Sequence, residues 1–257
     1  MSLNAQNICI MGKKSKIIVV ANQKGGVGKS TVCMALANYI SLEMKFENVG
    51  GIIDTDFQTS VVKKRESDLK LIEGTSEYPP YEVTSFNLDN YDKIPELIEE
   101  LRKTGRIYIF DTPGRLNHQG IVALVTLADY LIIPFNYQNL ILKSTIEFIL
   151  FYNNLKKLLK EEQNYCLDNK LFFLPMMRDE RFGTVADKEL WERIRKAYMN
   201  VGVILPTIGY LKAMQEVNTI RLNKKQALTV NDAFYTFIDY IYTDTTTSNE
   251  NGYAQNA

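Results

Sequence analysis

The chain has 257 residues, with 30 lysines and arginines against 30 aspartates and glutamates, so its formal net charge is zero. This balance gives no overall electrostatic argument for or against a nucleic-acid partner. No apolar run approaches the about 18 residues of a membrane span, and residues 1–10 lack the pattern of a signal peptide. Cys9, Cys33 and Cys166 are far apart and odd in number, which argues against a disulfide framework or a zinc site and fits a reducing cytoplasm.

Short apolar runs alternate along the chain with longer amphipathic segments. The apolar runs predict strands over residues 16–22, 50–54, 106–111, 130–134, 170–176 and 202–205. The amphipathic segments predict helices over residues 30–46, 91–104, 119–128, 139–161 and 187–199. This alternation predicts βαβ units, and therefore an α/β fold with a mostly parallel central sheet flanked by helices on both faces.

The alternation of strands and helices predicts one domain with a short extension at each end. We expect the domain to cover residues 16–243 and residues 1–15 to be a poorly ordered leader. Residues 244–257 are rich in Thr, Ser, Asn and Gly and are expected to be a disordered tail. Residues 68–90 are polar, and we interpret them as a surface excursion between the second helix and the next.

A glycine-rich loop joins the first predicted strand to the first predicted helix. Residues 23–31 read Q-K-G-G-V-G-K-S-T, in the strand–turn–helix setting where backbone N–H groups and a helix N-terminus bind phosphate. Lys29 is expected to reach the β- and γ-phosphates, and the Ser30 hydroxyl is expected to hold Mg²⁺. A glycine turn that binds nothing is the alternative. The residues predicted to bind the nucleotide are Lys24, Gly25, Gly26, Val27, Gly28, Lys29, Ser30 and Thr31.

The loop departs from the ordinary phosphate-loop pattern G-x-x-x-x-G-K-[ST], which begins with glycine. This chain has Gln23 at that position and Lys24 next, and a second lysine is not needed to bind one nucleotide. The string K-G-G-V-G-K-S resembles the deviant Walker A motif of the ParA/MinD family of ATPases. In that family the early lysine reaches across a dimer to the partner's nucleotide. The resemblance implies ATP and ADP as ligands, a homodimer in the ATP state, and catalytic roles for Lys24 and Lys29.

Asp111 ends the predicted strand over residues 106–111 and is followed by T-P-G. An acidic residue at the end of a buried strand, beside a phosphate loop, is the usual second contact of Mg²⁺, generally through water. The string D-T-P-G resembles the Walker B segment of the same family. An aspartate that only begins a turn before Pro-Gly is the alternative.

The string D-T-D-F-Q at residues 54–58 follows the second predicted strand. It resembles the family's D-x-D-P-Q segment, with Phe57 in place of proline. The resemblance implies that Asp56 positions or activates the attacking water, and that Asp54 supports Mg²⁺ and its water shell. Because phosphoryl transfer needs little proton removal in the transition state, hydrolysis is expected to be slow. Two solvated or turn-capping aspartates are the alternative.

Two further features bear on the chemistry. The strings N-K-x-D and T-K-x-D that accompany guanine specificity are absent, which favours ATP. His118, the single histidine, follows D-T-P-G. It could act as a base, but we favour a solvated loop histidine.

Charge is segregated along the second half of the chain. Residues 178–225 hold ten basic and six acidic side chains, a local balance of +4, whereas residues 226–257 hold four acids and no lysine or arginine. Partition ATPases of the family bind DNA without sequence preference, which needs a basic face. The resemblance therefore implies nonspecific DNA as a partner, with an ordinary solvated helix face over 187–199 as the alternative.

The resemblance also implies an adaptor protein of the ParB type that stimulates hydrolysis, as for the small partition ATPases. Some family members end in a basic amphipathic helix that inserts into membranes. The apolar segment 234–241 carries an acid and no lysine, so it predicts a packed last helix and no membrane partner. We expect a cytoplasmic protein, with nucleoid association possible if DNA is bound.

Two other functions of the same superfamily stay open at this point. A bacterial tyrosine kinase would use a C-terminal tyrosine cluster, for which Tyr235, Tyr240, Tyr242 and Tyr253 are available, although those kinases lack the K-G-G string. An iron–sulfur carrier would need cysteines that a dimer brings together, and the cysteines of this chain are poorly placed for that.

Overall fold

The structure is a computed structural model that describes residues 15–43, 49–115, 118–178, 184–209 and 212–253. Residues 1–14 of the predicted leader lie outside the described residues. Ser15 is buried, and its hydroxyl donates to the Leu101 carbonyl at 2.8 Å.

Eight strands and seven α-helices are described in these parts of the chain. The strands are β1 (Lys16–Val20), β2 (Val49–Asp54), β3 (Glu82–Ser85), β4 (Ile107–Asp111), β5 (Tyr130–Phe135), β6 (Lys170–Arg178), β7 (Val203–Ile204) and β8 (Ile208–Gly209). The α-helices are α1 (Lys29–Asn38), α2 (Ser60–Ile72), α3 (Ile94–Lys103), α4 (Gln119–Leu127), α5 (Asn139–Gln163), α6 (Val185–Met199) and α7 (Lys224–Tyr253). A π-helical turn (Tyr39–Glu43) extends α1, and 3₁₀-helices cover Leu88–Lys93 and Lys212–Glu216.

The central sheet confirms the predicted fold class. Its order is β3-β2-β4-β1-β5-β6-β7, and β8 pairs with the end of β6. The ladders are parallel. Parallel strands need covering on both faces, and alternate residues of β1 enter two different cores. Ile18 and Val20 pack with α1 and α7, whereas Ile17 and Val19 pack with α3, α4 and α5.

Helix α7 closes one face of the sheet. Phe234, Phe237, Ile238 and Ile241 are fully buried there, which agrees with the predicted packed helix. The helix continues to Tyr253, so it runs into the stretch predicted as a disordered tail, whose residues 254–257 lie outside the described residues. In the described parts of the chain, none of the helices combines the length and apolar character needed to cross a membrane.

The surface excursion predicted over residues 68–90 is wrong in part, because it contributes strand β3 to the edge of the sheet. Three of the four residues of β3 are exposed, so its sequence has no apolar run to reveal it. Helix α2 was missing from the predicted helices for a related reason. Its buried side chains include Arg65 and Asp68, and a helix with a polar buried face lacks the usual apolar periodicity.

Candidate functional site

The carboxyl ends of three neighbouring strands bring the site together. Asp111 at the end of β4 is in register with Val20 of β1 on one side and with Asp54 of β2 on the other. The glycine-rich loop continues from β1 towards α1. The loop and both predicted aspartates therefore lie at one edge of the sheet, where α/β folds bind ligands.

The glycine-rich loop has the backbone that a phosphate site requires. Gly26 and Gly28 have φ of +77° and +96°, which non-glycine residues rarely adopt. A Cβ at Gly25 or Gly26 would meet no heavy atom within 4 Å, so both glycines border open space. Gly28 is the N-cap of α1, and the positive end of the helix dipole therefore faces the loop.

The two lysines of the loop have different surroundings. Lys29 is only 7% exposed, and its ammonium donates to the Lys24 carbonyl at 3.1 Å. Burial lowers the pKa of Lys29, and the carboxylates of Asp111 and Asp56 act in the opposite direction. The Lys24 side chain is exposed. The loop thus has one cation inside the cleft and one at its surface.

Ser30 and Asp111 are brought into direct contact. The Ser30 hydroxyl donates to Asp111 Oδ2 at 2.6 Å, and Asp111 is 1% exposed. Burial raises the pKa of Asp111 to about 7, against the opposing hydrogen bond from Ser30 and the charge of Lys29. A hydroxyl and a carboxylate beside a phosphate loop fit Mg²⁺, which takes few protein ligands and keeps several waters. No group of three or more His, Cys, Asp or Glu suited to a metal occurs among the described residues.

Asp54 has a capping role, which the sequence offered as the alternative to its support of Mg²⁺. It is fully buried, and its oxygens accept from the backbone N–H groups of Asp56 at 3.1 Å, Val61 at 2.8 Å and Val62 at 3.3 Å. Burial raises the pKa of Asp54, and these hydrogen bonds oppose the rise. Asp54 therefore holds the start of helix α2 and the loop that carries Asp56. Its predicted support of Mg²⁺ stays a prediction.

Asp56 lies in the loop between β2 and α2, on the lining of the cleft. Its Oδ1 accepts from the Gln58 N–H at 3.1 Å, which fixes the turn. The neighbouring Phe57 ring is 95% exposed at the same cleft. Asp56 and the glycine-rich loop thus border the same cleft.

The cleft itself is open and has a volume of about 1390 Å³. Glycines 25, 26 and 28 line it, together with Lys29, Ser30 and Thr31. Val27 differs from the other predicted loop residues because its side chain is buried in the core beside α4 and α5. Val27 can therefore serve a nucleotide only through its backbone.

His118 is held in a structural role. Its Nδ1 accepts from the Gly120 N–H at 3.1 Å, which caps helix α4. Its Nε2 lies 3.0 Å from Asp89 Oδ1, and because Nδ1 accepts, Nε2 is the nitrogen that donates. Both ring nitrogens are occupied, which favours the loop histidine over a catalytic base.

Several residues that support the site were not predicted. Thr55 donates to the Asp111 carbonyl through its N–H at 2.9 Å and its hydroxyl at 2.7 Å. Thr112 donates through its hydroxyl to the Val20 carbonyl at 2.9 Å. The Cys33 thiol approaches Asp111 Oδ1 at 3.7 Å from one turn along α1. A hydroxyl residue directly after a buried strand was the signal available for the two threonines.

Comparison with known proteins bears on the family and the fold of this chain. The family model described as ATPase MipZ matches residues 16–142. A maintenance of carboxysome distribution protein A from Gloeobacter kilaueensis is 30% identical over 121 residues, which cover 46% of this chain and 48% of that protein. The match thus spans about half the length of this curated relative.

Solved structures show the same fold along almost the whole chain. A plasmid partition protein from Borrelia burgdorferi bound to AMPPNP has a TM-score of 0.64 at 20% identity, covering 89% of this chain and all of that one. The ATP complex of a Cyanothece McdA variant has a TM-score of 0.63 at 15% identity, covering 88% and 95%. MinD from Aquifex aeolicus has a TM-score of 0.61 at 16% identity, covering 87% and 97%. The matched family model, the K-G-G-V-G-K-S loop and this fold together support a ParA/MinD family ATPase.

Proposed function

We propose that this chain binds and slowly hydrolyses ATP, that ATP joins two copies of it, and that the joined state positions a cellular cargo, DNA in the first place. The observation that carries the proposal is the unlike placement of two lysines in one phosphate loop. Lys29 lies inside the cleft beside Asp111, whereas Lys24 extends from the same loop to the surface. One lysine is available to its own nucleotide and the other to a nucleotide outside its own cleft.

The residues of the cleft support ATP hydrolysis. Lys29 and the backbone of residues 25–31 would bind the phosphates, while Ser30 and Asp111 would hold Mg²⁺. When bound, Mg²⁺ neutralises charge on the phosphate oxygens. Asp56, which also lines the cleft, would orient the attacking water. A carboxylate gives little further help in a transition state that needs almost no proton removal, so the expected rate is slow.

Dimerisation would complete the site. The Lys24 carbonyl accepts from the Lys29 ammonium at 3.1 Å, which fixes the backbone from which the exposed Lys24 side chain extends. A charge-assisted contact between Lys24 and a phosphate in a second copy would exist only when nucleotide is bound. The ATP state and the dimer are therefore expected to depend on each other.

The test is the mass of the protein in solution with ATP and Mg²⁺. Wild type is expected to double in mass, while Lys24→Ala stays a monomer that still binds ATP through Lys29. Lys103→Ala is the matched control, because Lys103 is an exposed lysine on helix α3. If Lys24→Ala dimerises and hydrolyses ATP as wild type does, the proposed role of Lys24 is wrong.

The proposed cargo follows from what the similar proteins position. They include plasmid partition proteins and a carboxysome distribution protein, so positioning of large objects is their common theme. In helix α6, Lys188, Arg193 and Lys196 are exposed, together with Glu189 and Glu192. This mixed face supports only weak DNA binding. A fluorescence anisotropy titration with nonspecific duplex is expected to show ATP-dependent binding that falls steeply with salt, and no binding at low salt would overturn it.

An adaptor protein of the ParB type is proposed on the resemblance alone. The tyrosine kinase alternative has less support, because the Tyr240 ring packs against Phe172 at 5.0 Å between centroids. The side chains of Tyr242 and Tyr253 lie outside the described residues. Phosphotyrosine in the C-terminal segment after incubation with ATP would favour the kinase.

A further inference from the structure

The segment that follows β4 forms the wall of the cleft next to the phosphate loop. The Thr112 hydroxyl anchors it to the Val20 carbonyl at 2.9 Å. Gly114 then touches the loop so closely that a Cβ there would lie 2.8 Å from the Gly25 nitrogen. Arg115, the next residue, also lines the cleft.

Arg115 has no partner of its own among the residues that the structure describes. It is exposed and lines the cleft, and no described carboxylate pairs with its guanidinium. The acids of the same lining already have partners. Asp56 Oδ1 accepts from Gln58, and Asp89 Oδ1 pairs with His118. A cation is thus left at the mouth of a cleft whose inner cation is Lys29.

A guanidinium is the side chain best matched to this position. Its planar array of N–H donors binds phosphate oxygens in pairs and keeps its charge at every physiological pH. Lys29 and the glycine backbone occupy the inner end of the cleft, where the helix dipole of α1 also acts. Arg115 lines the cleft four residues after Asp111, the proposed Mg²⁺ contact, so we expect it to meet the phosphates that the metal neutralises, of which the terminal one is the outermost.

We propose that Arg115 binds the terminal phosphate of the nucleotide and so distinguishes a nucleoside triphosphate from a diphosphate. This inference rests on the proposed binding of ATP in the cleft. Arg115 adds a contact that ATP makes and ADP lacks. Since negative charge on the terminal phosphoryl oxygens is stabilised by arginine in phosphoryl transfer, the same contact also favours hydrolysis.

The test compares affinities for ATP and ADP in the presence of Mg²⁺, measured by calorimetry on the full chain. Arg115→Ala is expected to weaken ATP binding by about tenfold or more, while ADP binding stays as in wild type. Arg115→Lys keeps the charge without the planar donors and is expected to fall between the two. Arg106→Ala is the matched control, because Arg106 is an exposed arginine just before the other end of β4.

The possible outcomes separate this inference from the function on which it rests. A selective loss of ATP affinity in Arg115→Ala supports a contact to the terminal phosphate. Unchanged ATP affinity, or an equal loss for ATP and ADP, would overturn the inference alone. A wild-type protein that binds neither nucleotide would overturn the proposed function and this inference with it.

Discussion

Strands β1, β2 and β4 end in a row of buried polar groups, whereas strands β5 and β6 carry buried aromatic rings. Asn22, Asp54 and Asp111 are each 1% exposed or less, and we call this region, with the loop to α1, the phosphate half. In β5 and β6, Phe135, Phe172 and Phe173 are fully buried and meet other rings edge to face or stacked. We call this region, with its partners on α6 and α7, the aromatic half.

The difference shows how one sheet divides stability from function. Buried charge destabilises a fold unless it is compensated, and the phosphate half compensates with backbone N–H groups and hydroxyls around Asp54 and Asp111. Aromatic burial stabilises a fold by removing apolar area from water. We therefore expect substitutions in the aromatic half to change the free energy of unfolding, and those in the phosphate half to change nucleotide binding.

The largest effect is expected for Phe172→Ala in the aromatic half. Phe172 is fully buried, with ring centroids of Phe237 at 4.8 Å and of Tyr130 at 6.1 Å. Its removal should lower the free energy of unfolding by about 3–5 kcal/mol, measured by urea denaturation. Tyr78→Ala, at an 85% exposed position, should change it by no more than about 0.5 kcal/mol. Equal midpoints for the two variants would contradict the division.

Lys29→Ala tests the phosphate half. Loss of the buried cation of the glycine-rich loop should weaken ATP binding by about 100-fold. Because burial lowers the pKa of Lys29, its charged form is less stable in the folded chain than in water. Stability should therefore be unchanged or slightly higher. The measurements are calorimetric titration with ATP and urea denaturation without it, and a large loss of stability would break the comparison.

The two halves also differ in how many of their contacts could be predicted from the sequence. The phosphate loop and Asp111 are marked by residues adjacent in the chain, so local strings located them and the strand register then joined them. Contacts such as Phe172 with Phe237 join residues far apart in sequence. The apolar pattern predicts that both are buried, but it cannot say that they meet.

Some parts of the phosphate half could not be predicted either. The sequence offered capping by Asp54 only as an alternative, because the choice depends on where helix α2 begins in space, and α2 itself has a polar buried side. Arg65 of α2 donates to the Tyr81 carbonyl at 2.9 Å, and Asp68 accepts from the Thr219 N–H at 2.8 Å. Such pairs replace apolar periodicity with long-range polar contacts. Arg115, which no motif marks, is likewise singled out only by its place in the cleft lining, after the Gly114 that touches Gly25.

The pH dependence of the free energy of unfolding tests the phosphate half at Asp111. Burial raises the pKa of Asp111 to about 7, above the about 3.9 of an unfolded aspartate. Between these two pKa values the folded chain binds a proton at Asp111 that the unfolded chain does not bind. The stabilisation that this proton gives is present at low pH and is lost as pH rises towards 7. Asp111→Asn cannot lose this stabilisation. The free energies of unfolding of wild type and Asp111→Asn, plotted against pH, should therefore diverge by up to about 1.4 kcal/mol per pH unit between about pH 4 and 7. Parallel curves would show that Asp111 is already ionised in the folded chain.

The smallest effect is expected at Cys33, where a buried apolar core meets the buried charge. The Cys33 thiol lies 3.7 Å from Asp111 Oδ1 and 4.0 Å from the Phe110 carbonyl, so it is a second donor to the carboxylate that Ser30 also binds. Cys33→Ala should lower the free energy of unfolding by about 1 kcal/mol, and Cys33→Ser should lose less because a hydroxyl still donates. A double-mutant cycle with Asp111→Asn, measured by urea denaturation, isolates the contact, with a coupling of at least about 0.5 kcal/mol expected. If the two changes are additive, the thiol only fills space. The hydrogen bond from α1 that stabilises the buried Asp111 carboxylate then comes from Ser30.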